Sequence, residues 1–283
     1  MTIGFIGLGK MGAAMAPHLV EAGYSVIGHD IVKPPALPAE LVFASDLASV
    51  ANCKIVITML PDGDIVEGVI KTLCTMGCKA KFIDMSSSHP DVSLRLYLAL
   101  KADNISFIDA PVSGGVGRAQ NACLQIMAGG DAEEVAQLEP TLSSMGSVIY
   151  LGPAGCGHAM KALNNYVSAA GLIASFEALA VARDLGIAPE RFLEVINSST
   201  GRNNTTESKI ERYVLSETFD SGFALKLMAK DVAIASSISA ASGAHGPVTA
   251  AVRQFLETGL ASLGDEADHT ELYLKVANNQ VGL

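Results

Sequence analysis

No run of lysine and arginine occurs in this sequence. Its 19 basic residues are outnumbered by 29 acidic ones, for a net charge of −10. A nucleic-acid partner, held through its phosphate backbone, is therefore not expected. An anionic small molecule stays admissible, because a site can be locally positive in an acidic protein. Cysteine is scarce: Cys53, Cys74, Cys78, Cys123 and Cys156 make an odd count of five without framework spacing. The first residues run straight into Met-Thr-Ile-Gly-Phe-Ile-Gly, with no basic segment and no cleavage site. Both features read as a cytoplasmic protein with free thiols. Cys74 and Cys78 have the spacing of half a metal site, but no His or Cys pair completes it, and no metal is expected. No uncharged apolar stretch reaches about 18 residues, so no membrane span is expected. Internal repeats, low-complexity tracts and flexible linkers are also missing.

What the chain does have is apolar. Hydrophobic residues make up 49% and charged residues 17% of its 283 positions. That excludes a disordered chain and leaves material for about two domains. Candidate strands are Ile3–Gly7, Ser25–His29, Leu41–Phe43, Ile55–Met59, Lys81–Asp84, Ser106–Asp109, Leu124–Ala128 and Val148–Leu151. Helical stretches lie between most of them, at 10–22, 46–52, 63–75, 91–103 and 132–145. Strand, helix, strand at this spacing means crossover connections and a mostly parallel sheet. After Gly152-Pro153-Ala154-Gly155-Cys156-Gly157 the strand signals stop. Helical patterns follow at 158–185, 189–197, 205–217, 225–242, 247–263 and 268–277, with Gly186 as a stop and Pro189 as a first-turn start. Small residues along 158–185, among them Ala170, Gly171, Ala174 and Ala178, would let helices of a second subunit approach. Residues 34–38 hold three prolines, which fits a stiff surface loop.

Gly7-Leu8-Gly9-Lys10-Met11-Gly12 matches G-x-G-x-x-G. Alone the pattern is weak. Here it follows a β run and opens a helix, so each glycine serves a separate purpose, namely a tight turn, close approach to a pyrophosphate, and helix–sheet contact. The helix N-terminus offers free N–H groups to the phosphates. The confirming acid belongs about 20 positions on. Asp30, ending Val26-Ile27-Gly28-His29-Asp30, can accept from both ribose hydroxyls. A 2′-phosphate would be repelled there, and of the next residues only Lys33 offers a cation. NAD is expected over NADP. The bland alternative is a glycine turn without ligand beside a solvated Asp. The expected architecture is α/β: a Rossmann-type, mostly parallel sheet over residues 1–157, then an all-helical domain over 158–283, joined by a long helix from about 158.

Later strand ends should line the same crevice. Leu60 and Pro61 could lie against adenine or ribose, and one hydroxyl of Ser86-Ser87-Ser88 could reach the nicotinamide side. Turn and cap roles suit each serine equally well. In Asp109-Ala110-Pro111-Val112-Ser113-Gly114-Gly115, backbone N–H groups and the Ser113 hydroxyl suit a carboxylate, though an ordinary Gly-rich loop reads the same way. Gly155-x-Gly157-x-x-x-Lys161-x-x-Asn164-Asn165 is more informative, because Lys161 and Asn165 share a helix face. A solvated lysine is the usual reading. Yet beside an oxidised nicotinamide, the ring's charge, partial burial and the positive helix end would all favour a neutral amine. That amine could take a hydroxyl proton as hydride leaves the same carbon. His158 stands three residues earlier, where a plain capping or surface histidine is the expected reading. Lys230-Asp231, seven residues after Phe223, reads as an exposed pair on an amphipathic helix.

These blocks together resemble the β-hydroxyacid dehydrogenase family, which includes 3-hydroxyisobutyrate dehydrogenases and tartronate semialdehyde reductases. The resemblance covers 4–12, 109–115, 155–165 and 230–231, in family order. It implies that Lys161 is the catalytic acid/base with Asn165 as its partner. It implies that Ser113, Gly114 and Gly115 hold the substrate, and that Lys230 lies near substrate and nicotinamide, with Asp231 on the cofactor side. Gly7, Leu8, Gly9, Met11, Gly12, Leu60, Pro61 and Ser87 become cofactor contacts. NADP-preferring relatives carry Asn-Arg-Ser/Thr where this chain has His29-Asp30-Ile31, so NAD is again implied. Members are dimers or tetramers packed through the helical domain. The implied activity is NAD-dependent oxidation of a small 3-hydroxy acid, 3-hydroxyisobutyrate-like, to the semialdehyde or keto acid. The alternatives are an NAD(P)H-dependent semialdehyde or glyoxylate reductase of the same family, and a non-catalytic nucleotide-binding protein. Two departures stand out: Ser86-Ser87-Ser88-His89-Pro90 replaces the commoner Ser-Thr-Ile-Ser-Pro, and Arg202 in the polar 201–205 segment either meets a second anionic or polar substrate group or is solvated.

Overall fold

The computed structural model describes residues 1–243 and 246–277. The chain divides into two compact units, Met1–Lys161 and Ala162–Leu283. The first holds nine strands: β1 (Thr2–Ile6), β2 (Ser25–His29), β3 (Val42–Ala44), β4 (Ile55–Thr58), β5 (Lys81–Asp84), β6 (Phe107–Asp109), β7 (Val112–Ser113), β8 (Leu124–Gly129) and β9 (Gly146–Gly152). Its helices are α1 (Lys10–Glu21), α2 (Gly63–Thr75), α3 (Pro90–Ala102), α4 (Gly115–Gln120) and α5 (Ala132–Ser143). The strands form one sheet in the order β3-β2-β1-β4-β5-β6-β8-β7, with β9 on β8. The strands from β3 to β6 in that order pair in parallel, and β8 runs antiparallel to β6.

The strands are apolar on both faces because both faces are covered. Ile3, Phe5, Ile57, Ile83 and Ile108 join Met15 and Leu19 of α1 and Leu138 and Leu142 of α5 in one core layer. Ile6, Val56, Phe82 and Phe107 join Val66 and Ile70 of α2 and Leu96 of α3 in the other. Asp62 caps α2 and Asp131 caps α5, each accepting from a backbone N–H of the first turn. The strand order reverses between β1 and β4. Their carboxyl ends therefore open a crevice, the usual ligand position in such sheets. Two expectations need correction. The expected helix at 46–52 is a single 3₁₀ turn, Leu47–Val50. The expected loop after Asp109 contains β7 and α4, because β8 runs alongside and pairs Val112 and Ser113 with Ile126 and Gln125.

The long helix α6 (Cys156–Asp184) begins in the first unit and continues into the second. There follow α7 (Pro189–Asn197), α8 (Asn204–Ser208), a π-helical turn (Ile210–Leu215), α9 (Leu225–Ala241), α10 (Pro247–Leu263), a 3₁₀ turn (His269–Glu271) and α11 (Leu272–Ala277). The expected helix over 205–217 is thus two short elements of different pitch. By length and composition α6 is apolar enough to cross a membrane, although Lys161, Glu177, Arg183 and Asp184 interrupt it. Its apolar side chains have another partner: Ala169, Leu172, Phe176 and Leu179 pack with Leu225, Met228, Val232, Leu256 and Leu272 in the core of the helical unit.

Candidate active site

The glycine turn lies between β1 and α1, and each glycine is there for a different reason. Gly7 has φ of +96°, and a Cβ on it would stand 2.2 Å from the Met59 carbonyl oxygen at the end of β4. A Cβ on Gly12 would stand 1.9 Å from the Gly7 carbonyl oxygen, so α1 sits tightly on its own entry turn. A Cβ on Gly9 would meet nothing within 4 Å. Gly9 is the glycine that leaves open space at the helix N-terminus, where a pyrophosphate binds in this motif. The Leu8 side chain is buried in the core, so only its backbone faces the turn. Its N–H donates to Asp30 Oδ2 at 2.6 Å, while Asp30 Oδ1 accepts from Val32 N at 3.2 Å. The acid after β2 is thereby fixed at the glycine turn, with lone pairs left for ribose hydroxyls. Met11 is partly buried against the core. Lys33, the cation nearest to Asp30 along the chain, has its amine 5.7 Å from the centre of the Phe43 ring.

Leu60 and Pro61 follow β4, at the carboxyl edge of the sheet. The three serines after β5 separate by function. The Ser86 hydroxyl accepts from Leu60 N at 2.9 Å, and the Ser88 hydroxyl donates to Asp84 Oδ2 at 2.9 Å. Both side chains are buried; Ser87 is the partly exposed one. Asp84 Oδ1 also accepts from the Thr58 hydroxyl at 3.0 Å and from Ser86 N at 3.0 Å. Ser113 ends β7 partly exposed, and Gly114 and Gly115 follow with φ of +140° and +67°. This backbone turns its N–H groups as few residues other than glycine allow.

His158 is not the exposed histidine the sequence suggested. It is 1% exposed. Its Nδ1 lies 2.7 Å from Ser93 Oγ, and its Nε2 donates to the Ser86 carbonyl at 3.2 Å. The reason is long-range: two carboxylates from neighbouring strand ends, Asp84 and Asp109, flank the ring at 3.7 Å each. Burial pushes the Asp109 carboxyl up, against the opposing pull of His158 and of two backbone N–H donors. Lys161, three residues further along α6, is partly exposed.

In the helical unit, Asn165 and Asp231 are both buried and directly bonded, Asn165 Nδ2 donating to Asp231 Oδ2 at 2.5 Å. Asn165 Oδ1 accepts from Asn164 Nδ2 at 3.1 Å. Asp231 is therefore no surface acid; it fixes the amide that stands one helical turn after Lys161. Lys230 beside it is partly exposed. Arg202 is exposed and lies 3.6 Å from Glu207. Asn203 caps α8 and donates to Ser175 Oγ at 2.9 Å. Among the described residues no cluster of three or more His, Cys, Asp or Glu has the arrangement of a metal site.

A family profile for the NAD-binding domain of 6-phosphogluconate dehydrogenase matches residues 2–152. A second, described as the NAD-binding domain of NADP-dependent 3-hydroxyisobutyrate dehydrogenase, matches residues 155–276. The 2-(hydroxymethyl)glutarate dehydrogenase of Eubacterium barkeri is 34% identical over 292 residues, covering 99% of this chain and 96% of that protein. The chain belongs to the β-hydroxyacid dehydrogenase family. The mitochondrial 3-hydroxyisobutyrate dehydrogenase of Drosophila melanogaster is 36% identical, with 87% of this chain and 80% of that one aligned. The solved Mycobacterium tuberculosis 3-hydroxyisobutyrate dehydrogenase with L-serine superposes with a TM-score of 0.87 at 31% identity, over 97% of this chain and 98% of that one.

This β-hydroxyacid dehydrogenase is thus an oxidoreductase that acts on a hydroxyl group, with NAD(P)-binding domains and a small-molecule substrate. The turn at Gly7–Gly12 and the open space at Gly9 fit the dinucleotide. Sequence reasoning missed Asp84, Ser93 and the capping role of Asp109. One signal was present: Asp84 and Asp109 each end an apolar β run, where a buried carboxylate needs partners.

Proposed function

We propose that this dehydrogenase oxidises a small 3-hydroxy acid, 3-hydroxyisobutyrate-like, using NAD, with Lys161 as the general acid/base. The reading is carried by the placement of Lys161: one turn into α6, with Asn165 one turn further on and itself held by Asp231. Bound NAD supplies the hydride acceptor. The neutral Lys161 amine takes the hydroxyl proton, and in the reverse direction its ammonium returns one. Asn165 holds the hydroxyl. Ser113 and the backbone N–H groups of Gly114 and Gly115 hold the carboxylate, with Lys230 on the substrate side. Gly9, Met11, Leu60, Pro61 and Ser87 contact the cofactor. Preference for NAD is supported by Asp30, whose carboxylate repels a 2′-phosphate, and by Lys33 being turned toward Phe43. A homodimer or homotetramer packed through the helical unit completes the proposal.

The test is NADH absorbance with 3-hydroxyisobutyrate, 3-hydroxypropionate, serine, glycerate and threonate, run with NAD and with NADP. At least one acid should turn over, with higher kcat/KM for NAD. No turnover of any acid while NADH binding is demonstrable would defeat the substrate reading. Lys161→Ala should lower kcat by about 10³-fold, and a rate near wild type would remove Lys161 from the chemistry.

A further inference from the structure

Three functional segments of the first unit start from one buried polar cluster. Asp84 ends β5, and the Ser86–Ser88 loop follows. Asp109 ends β6, and Ser113–Gly115 follows. His158 sits in the first turn of α6, and Lys161 comes next on that helix. The imidazole joins all three: Nε2 stands 3.7 Å from Asp84 Oδ2 and Nδ1 stands 3.7 Å from Asp109 Oδ2. Asp84, Asp109, His158, Ser86 and Ser93 are each buried. Placing so many polar groups out of water is costly unless every one is bonded, and a fully bonded network is rigid.

Asp109 has a second role in this cluster. Its Oδ1 accepts from Gly155 N at 2.7 Å and its Oδ2 from His158 N at 2.9 Å. These N–H groups stand at the start of α6 and have no partner within the helix. The cap of α6 is therefore a carboxylate from a strand end some fifty residues upstream (the sequence separations are 46 and 49). Its charge also suits the positive end of the helix. The backbone is cleared to admit it. A Cβ on Gly157 would stand 2.3 Å from the Met127 carbonyl oxygen and 2.8 Å from Asp109 Oδ2. A Cβ on Gly129 would stand 2.8 Å from Asp109 Oδ1. A local Ser or Asp cap would tie the helix only to its own chain. This one ties it to the sheet, so the start of α6, and the depth at which Lys161 projects, is set by β6.

We propose that Asp109 and His158 are positioning residues for Lys161: Asp109 fixes the start of α6 on β6, and His158 locks that joint to Asp84 and the serine loop. The proposal rests on Lys161 being the acid/base group. Neither residue needs to touch substrate or cofactor for this.

The experiment compares Asp109→Asn, His158→Ala, His158→Gln and Lys161→Ala in the full-length protein. It measures kcat, both KM values, the primary isotope effect with substrate deuterated at the hydroxyl carbon, NADH binding by fluorescence, and thermal melting. Asp109→Asn and His158→Ala should each lower kcat by about 10-fold to 100-fold, the size of effect a misplacement of about 1 Å produces. NADH affinity and both KM values should change less than kcat does, since neither side chain itself touches substrate or cofactor. The isotope effect on kcat should rise, because the hydride step then limits turnover. His158→Gln keeps a donor and an acceptor and should recover most of kcat. Folded variants with wild-type kcat and isotope effect would overturn the positioning role, as would a loss confined to KM for NAD. If one of Asp109→Asn and His158→Ala fails to melt cooperatively, the other decides by the same criteria. Lys161→Ala at wild-type rate would overturn the acid/base reading itself. An inactive Lys161→Ala beside fully active Asp109 and His158 variants would overturn positioning alone.

Discussion

Lys209 is a lysine in the wrong solvent. It stands between α8 and the π-helical turn, partly buried, and desolvation pushes its amine down to about 8 against the opposing pull of Asp268. Its charged form therefore costs stability in the folded state. Below pH 8 both folded and unfolded chains hold the proton and the full cost is present. Between about pH 8 and the unfolded value near 10.4, the unfolded chain binds more protons, so stability rises with pH. Lys209→Met should be the more stable protein at pH 7, by on the order of 1–3 kcal/mol after discounting for solvent screening. That advantage should shrink by pH 10. Urea midpoints of the two proteins at pH 7 and pH 10 check this, and a difference that does not vary with pH would refute it. Lys209 and His158 show what a sequence withholds at this scale. Gly7, Gly9, Gly12 and Asp30 were legible because turn chemistry is local. The burial of His158 was not, since it comes from Asp84 and Asp109 on other strands.

Elements were legible where one face is periodically apolar and the ends carry local caps, as in α2 with Asp62 and α5 with Asp131. They were misread where a partner distant in sequence makes the element. β7 exists only against β8, and the π-helical turn after Lys209 has no composition of its own. The segment between that turn and α9 depends on one such partner, Asp268. Its carboxylate accepts from the Ser221 hydroxyl at 2.8 Å, Gly222 N at 2.9 Å and Phe223 N at 3.2 Å, and from Thr270 N at 3.0 Å. Burial pushes this carboxyl up, but hydrogen bonds from His269, Thr270 and Ser221 outweigh it and hold it well below the usual carboxylate range. A depressed carboxyl contributes stability that is complete above its unfolded value of about 3.9 and fades as pH falls below it. Asp268→Ala should cost about 2–4 kcal/mol at pH 7, because several donors lose their acceptor together. The gap to wild type should narrow in acid below about pH 4. Denaturant melts at pH 7 and pH 3 test both statements, and a gap that stays constant would separate Asp268 from the acid response.

At the scale of the whole molecule, α6 carries an apolar face that the described residues of its own chain leave partly exposed. Leu163, Val167 and Val181, with Leu185 just past the helix end, are 38%, 67%, 58% and 74% exposed. At 100° per residue they fall with Ala174 and Ala178 in a strip about 60° wide and about 33 Å long. The opposite side of the helix, through Leu172, Phe176 and Leu179, is fully buried. An isolated exposed leucine needs no explanation, but an aligned apolar strip of this length marks a surface that associates. The small residues at its middle let a second backbone come close, and the larger ones at its ends fill the space beside it. The occupant we expect is another copy of the chain, and the strip gives its assembly a direct test. Light scattering at micromolar concentration should return a multiple of 29.3 kDa. Val167→Glu combined with Val181→Glu should reduce that mass to one chain, because a buried unpaired carboxylate costs far more than an exposed valine gains on burial. The helical content should not change, since both positions already face solvent in the single chain. A wild-type protein of 29.3 kDa, or a double variant that keeps the wild-type mass, would mean that this strip is not where copies meet.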